Sequence, residues 1–151
     1  MDPVPGDIPN ELQDDWRRLL VGEDERKMRR RLSYLQGAVA MVAKLEASMK
    51  DAFIGKKADA VDPASRSASR TLLVSSLQSH SLSIGEVLKV FTKLSEDGQG
   101  AVRRVLGWIA EHLVKILTDF GELIGLENWS VAAQLSSFPP GASFTFTLTF
   151  K

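Results

Sequence analysis

The C-terminal stretch from Trp129 to Lys151 differs in periodicity from the chain before it. It alternates apolar with small polar residues, whereas most of the preceding sequence repeats its apolar residues every three or four positions. A period of two places alternate side chains on one face of a strand, and a period near 3.6 places an apolar stripe along a helix. Phe and Thr, which dominate the last residues, also favour strands. The sequence therefore predicts a helical protein that ends in strands.

Two antiparallel strands, over about residues 129–137 and 143–150, are predicted to form a hairpin. The Pro-Pro-Gly between them suits a type II turn, because proline fixes φ and glycine accepts a positive φ. A turn centred between Pro140 and Gly141 collects the apolar residues of both strands on one face. The pairs that follow are Leu135 with Phe146, Ala133 with Leu148, and Val131 with Phe150. We expect this apolar face to lie on the helices.

Four or five helices are predicted before the hairpin. The longest covers about residues 24–53, where apolar residues recur at steps of three and four. The most regular amphipathic pattern covers about residues 101–124, and Gly125 is well placed to end that helix. The chain is thus predicted to be an α+β protein, mainly a helical bundle with a C-terminal antiparallel β-hairpin.

The segment between these two helices is harder to assign. Asp62 followed by Pro63 is a helix-start signal, because the carboxylate can cap the helix and proline suits its first turn. Ser83 and Glu86 have the spacing of a capping box, which predicts a further helix start. Residues 71–78 fit either a helix or a short third strand.

The length of 151 residues suits a single domain. Prolines and a glycine predict an irregular lead-in over residues 1–12, followed by one domain over 13–151. The N-terminal residues are acidic and rich in proline and do not resemble a secretory signal, so we expect a cytoplasmic location.

Composition and motifs argue against several functions. Lys plus Arg and Asp plus Glu both number 19, and this balance disfavours nucleic acid as a partner. The chain has no cysteine, and its two histidines, His80 and His112, lack a second ligand at metal-binding spacing. No nucleophile or phosphate-loop motif is present. We therefore expect neither an enzyme nor a bound metal or cofactor.

The final strand carries the main functional hypothesis. A strand without a neighbour on one side is a template for another chain, and this one has no inward charge and only Lys151 to prevent pairing. The sequence predicts a protein–protein interaction module, an adaptor, regulatory or assembly domain that binds a partner or itself. A helical segment that covers the edge is the competing interpretation. The residues of the predicted edge are Ser143, Phe144, Thr145, Phe146, Thr147, Leu148, Thr149 and Phe150.

A basic run and the amphipathic helix support an alternative function. Lys27, Arg29, Arg30 and Arg31 could contact an anionic surface. Glu23 and Glu25 each stand four residues before a cation of this run, however, which is typical of an ordinary solvated helix face. Membrane-surface helices resemble residues 101–124. The alternative is therefore a membrane-active, cell-death or toxin-type effector that uses this helix or the hairpin.

Overall fold

The structure is a computed structural model that describes residues 8–20, 25–53, 55, 61–89, 91, 96–137 and 140–150. Within these ranges a turn of 3-10 helix (Asn10–Leu12) precedes four α-helices and a two-stranded sheet. The helices are α1 (Gln13–Leu20), α2 (Glu25–Phe53), α3 (Pro63–Leu88) and α4 (Glu96–Phe120), and the strands are β1 (Leu126–Ser137) and β2 (Pro140–Phe150). The predicted α+β class, a helical bundle with a C-terminal antiparallel hairpin, is confirmed.

Most of the buried apolar side chains of the core belong to α2 and α4. The long helix α2 agrees closely with its predicted range and buries residues spaced three and four apart, including Leu35, Val39, Val42 and Leu45. The apolar stripe of α4 is buried opposite it. Helix α3 packs on α2, and α1 packs on α4. The apolar periodicity of the sequence thus becomes one continuous core.

Helix α3 corrects the predicted organisation of the middle of the chain. It begins at Pro63 as predicted, where the Asp62 carboxylate accepts a hydrogen bond of 2.9 Å from the Ser65 amide. It then continues without interruption to Leu88. Residues 71–78 are therefore helical, and the helix start predicted at Ser83 is wrong. The reason is that the buried stripe of α3, which includes Leu73 and Leu77, continues past Ser83 with Ile84 and Val87.

The C-terminal end of α4 turns sharply into β1. Gly125 has a φ of 78°, and its N–H donates to the Glu122 carbonyl. The N–H of Leu126 reaches back to the Gly121 carbonyl at 2.9 Å. These two bonds, with a left-handed glycine, constitute a Schellman motif. The helical pattern predicted over 101–124 starts earlier, at Glu96, and its regular part ends at Phe120, but Gly125 has its predicted role.

The register of the hairpin differs from the predicted one. Val131 pairs with Phe146 rather than with Phe150. The strands pair as far as Ser137 and Pro140, so Pro140 belongs to β2 instead of the turn. Residues 138 and 139, which connect the strands, lie outside the described residues. The partner moves by an even number of positions, so the apolar residues still share one face.

The apolar face of the hairpin lies on the helices, as predicted. Strand β1 lies along α4, and β2 lies along α3. The side chains that pack against the core from this face are half-buried, and they are Trp129, Val131, Phe146, Leu148 and Phe150.

Candidate functional site

The side of β2 that faces away from β1, here called the outer edge of β2, is the main candidate site. Within the described ranges β2 pairs with β1 alone. Successive residues of a strand direct their N–H and C=O groups to opposite sides, so half of these groups in β2 point away from β1. The outer edge therefore presents backbone donors and acceptors along the length of the strand.

The side chains of β2 divide cleanly between its two faces. Thr145, Thr147 and Thr149 are exposed, whereas Phe146, Leu148 and Phe150 are half-buried toward the bundle. All eight predicted edge residues thus lie on β2, and the structure describes the side chains of six of them. The other two, Ser143 and Phe144, have a strand backbone, and their side chains lie outside the described part of the chain.

The two strands differ in how well they resist pairing. Natural sheets protect their edges with charged residues, especially lysine, or with proline. Strand β1 carries the exposed charge of Glu127 near its start. Strand β2 has no charged residue, and its proline, Pro140, is at the first position. The outer edge of β2 is therefore the more available of the two edges.

A groove between α3 and β2 lies beside this edge. One part has a volume of about 320 Å³ and is lined by Val74, Leu77, Gln78, Phe146, Leu148 and Phe150. An adjoining part of about 390 Å³ is lined by Arg70, Thr71, Val74, Ser75, Gln78 and Phe150. Because the two parts share Val74, Gln78 and Phe150, we treat them as one, the α3–β2 groove. A strand added to β2 would lie about 4.8 Å beyond it, over this groove.

Two arginines on the first turns of α3 bind the turn after α4. Arg66 donates through Nε to the Leu123 carbonyl at 3.1 Å. Arg70 donates through Nε to the Ile124 carbonyl and through Nη2 to the Gly125 carbonyl, and its guanidinium lies 5.0 Å from the Phe150 ring centre. These cations donate hydrogen bonds to carbonyls that a helix leaves unsatisfied at its C-terminal end. The helix dipole also favours positive charge at this end. Sequence reasoning missed both residues, because their partners are more than fifty positions away along the chain.

A second polar cluster joins the N-terminal segment to α4. Asp15, whose side chain is 8% exposed, forms an ion pair with Arg104. The indole N–H of Trp108 donates to Glu11 at 2.7 Å, and the ring stacks on His112 at a centroid distance of 3.9 Å. Each of these polar groups already has a partner in the fold, so the cluster stabilises the docking of α1.

The structure bears only in part on the remaining predicted residues. Lys27, Arg29, Arg30 and Arg31 are in the first turns of α2, but their side chains lie outside the described residues, as does that of His80. His112 is placed on α4 beside Trp108. In the described ranges, no three His, Asp or Glu side chains lie close enough to share a metal ion.

The amphipathic helix of the membrane-active alternative is α4. Its apolar face, which includes Ile109, Leu113, Ile116 and Leu117, is buried in the core of the bundle. This face would have to leave the core to meet a lipid surface. Among the residues that the structure describes, no helix combines the length and apolarity needed to cross a bilayer.

Comparison of the chain with protein-family models, curated proteins and solved structures finds no match.

Proposed function

We propose that this protein is a non-enzymatic protein–protein interaction module, an adaptor, regulatory or assembly domain, that associates through the outer edge of β2. The observation that carries the proposal is the position of this edge: an uncharged strand, paired with β1 alone among the described residues, lies beside an open groove on α3. Its first partner in this proposal is a second copy of the chain. The cytoplasmic location expected from the sequence is part of the same proposal.

The physical basis is the addition of a strand to a sheet. Backbone hydrogen bonds supply affinity in this mode of recognition, and pockets for alternate side chains supply specificity. Here the outer edge of β2 offers the backbone groups, and the α3–β2 groove offers space for side chains that point toward the bundle. A two-stranded hairpin also gains stability from additional strands.

A charge at the centre of the edge tests the proposal. Thr147 is exposed on β2, and its partner in the hairpin is Ser130, exposed on β1. We expect the wild-type protein to dimerise with increasing concentration, as measured by sedimentation or light scattering. Thr147→Lys should abolish this association, because lysine blocks edge pairing and the two copies would bring like charges together. Ser130→Lys, which adds the same charge on the neighbouring strand, should still associate.

A proline substitution provides a second variant at the same position. Thr147→Pro should also abolish association while the helical circular dichroism remains, because proline cannot pair as an inner strand residue. A wild-type protein that stays monomeric up to its solubility limit would contradict the proposal. Equal effects of the two lysine variants would place the contact away from the outer edge of β2.

A further inference from the structure

We infer that two copies join β2 to β2 in antiparallel orientation around a two-fold axis at Thr147, so that each strand covers the α3–β2 groove of the other copy. This inference rests on the proposed use of the outer edge of β2 and specifies its partner and register. The occupant of the groove is thus a second copy of the strand, with its Phe and Leu side chains directed into the groove.

The alternation of β2 restricts the possible registers. Directly opposite residues in an antiparallel pair lie on the same face of the sheet. The face with Phe146, Leu148 and Phe150 lies toward the bundle in each copy. A register that sets Phe opposite Thr would turn one copy's apolar residues to solvent, so the position numbers of opposite residues must add to an even sum. A two-fold axis then passes midway between the two copies of one residue, and not between two consecutive positions of the strand.

The groove selects one of these registers. Its β2 wall consists of Phe146, Leu148 and Phe150, and each of these should face a large apolar residue of the incoming strand. With the axis at Thr147, the residues opposite them are Leu148, Phe146 and Phe144 of the second copy. With the axis at Thr145, Leu148 and Phe150 would instead face Ala142 and Pro140, and the groove would stay partly empty. The register at Thr147 gives the longest overlap in which all three positions face a large side chain.

The charge pattern around the groove fits a contact between identical surfaces. Near a two-fold axis every residue meets its own copy, so a charge there would be repelled by itself. Neither β2 nor the stretch from Thr71 to Gln78 of α3 contains a charged residue. The guanidinium of Arg70, at one end of the groove, is engaged by the Ile124 and Gly125 carbonyls. The axis is perpendicular to the sheet, so both bundles lie on the same side and the α3 helices face each other.

Single cysteines test the register, because the chain has no cysteine of its own. At the axis, the two Cα atoms would be about 4.5–5.5 Å apart, within the range of a disulfide. Thr147→Cys should therefore form a covalent dimer under mild oxidation. Thr145→Cys and Thr149→Cys should not, since each would lie about 14 Å from its own copy. A mixture of Thr145→Cys with Thr149→Cys should cross-link, because these positions are opposite in the inferred register.

Substitutions on α3 test the contact with the groove. Gln78 is exposed and lines both parts of the groove, whereas Ala68 is exposed on the same helix and lines neither part. Gln78→Lys should raise the dissociation constant of the dimer by about tenfold or more, because it brings like charges together across the axis. Ala68→Lys should leave the dissociation constant unchanged. Circular dichroism confirms that each variant is folded.

The outcomes separate this inference from the proposed function. A wild-type chain that never dimerises overturns both. Dimers in which Thr145→Cys cross-links by itself, or in which Thr147→Cys does not, overturn the register but leave edge pairing in place. Equal dissociation constants for the two α3 lysine variants would overturn the role of the groove.

Discussion

Backbone polar groups differ in their pairing between two regions of the molecule, the turn from α4 into β1 and the outer edge of β2. In the turn, the carbonyls of Gly121 and Glu122 accept hydrogen bonds from backbone N–H groups. The next three carbonyls accept hydrogen bonds from the guanidinium groups of Arg66 and Arg70. Along the outer edge of β2, the described residues provide no pairing strand. Both regions contact α3 through Arg70, yet among the described residues only the first is closed by the chain itself.

The difference distinguishes backbone polar groups that stabilise the fold from backbone polar groups that can bind another chain. Polar groups removed from water must be paired within the protein, so a buried turn requires partners from the same chain. A strand edge in contact with water keeps its hydrogen bonds to solvent and can exchange them for bonds to another strand. Stability should therefore depend on the turn, and association should depend on the edge.

The largest effect on stability is expected at Gly125. Alanine there must adopt a positive φ, and its Cβ would overlap Nη2 of Arg70. Gly125→Ala should lower the free energy of unfolding by about 3–4 kcal/mol, from the left-handed conformation together with the displaced arginine. Gly55 also has a positive φ, of 70°, but among the described residues no side chain comes within 4 Å of the place that an alanine Cβ would occupy. Gly55→Ala should cost only about 1 kcal/mol, and equal losses in urea unfolding would refute the role of Arg70.

The guanidinium of Arg70 should have the next largest effect. Arg70→Met keeps much of the aliphatic stem but removes the donors to Ile124 and Gly125. We expect a loss of about 2 kcal/mol in urea unfolding, because carbonyls at the end of a helix lose charge-assisted bonds. Arg66→Met, which removes the Nε bond to the Leu123 carbonyl, should cost less, about 1 kcal/mol. A larger loss at Arg66 would show that the closure of the turn depends mainly on that residue and not on Arg70.

The start of α3 provides a smaller test of closure. Asp62 accepts hydrogen bonds from both the amide and the hydroxyl of Ser65. Asp62→Ala should lower the free energy of unfolding by about 1 kcal/mol, whereas Asp62→Asn should retain most of the stability, since both Asp and Asn cap helices well. The comparison uses thermal or urea unfolding of the two variants. Identical losses would mean that the cap contributes little to α3.

The smallest effect on stability is expected at the edge. Thr145 is exposed on β2, so Thr145→Lys should change the unfolding free energy of dilute, monomeric protein by less than about 0.5 kcal/mol. The same variant should weaken dimerisation strongly, because it places lysine on the outer edge of β2. A large loss of monomer stability would show that the edge is part of the folded core and would remove the contrast between the two regions.

Local signals predicted much of the fold. The apolar spacing of α2, the Asp62–Pro63 start of α3 and the stop at Gly125 each depend on a few neighbouring residues, and the structure has all three. The alternation of β2 likewise placed its phenyl side chains on the bundle side. Such signals act within one turn of helix or along one strand, and can therefore be read without the tertiary structure.

The predictions of a helix start at Ser83 and of the hairpin register were wrong because each local pattern is compatible with two structures. Ser83 and Glu86 have capping-box spacing, but the spacing also occurs inside a helix, and the buried positions Ile84 and Val87 continue the stripe of α3. Pro140 and Gly141 suit a turn, yet the strands pair past them. For the candidate site, the sequence predicted the edge of β2 but not the groove beside it, because α3 reaches β2 only through the fold. The positions of Arg66 and Arg70 had no local signal.

Arg70 touches both regions, since it binds the carbonyls after α4 and lies over Phe150 at the end of β2. A ligand that orders Phe150 would also restrain this side chain, and thermodynamic linkage requires the effect to be mutual. Amide hydrogen exchange at Leu126 should consequently slow as strands assemble on β2, although no incoming atom touches that residue. Through Arg70, the binding of a strand to the outer edge of β2 would then be measurable as slower amide exchange inside the monomer.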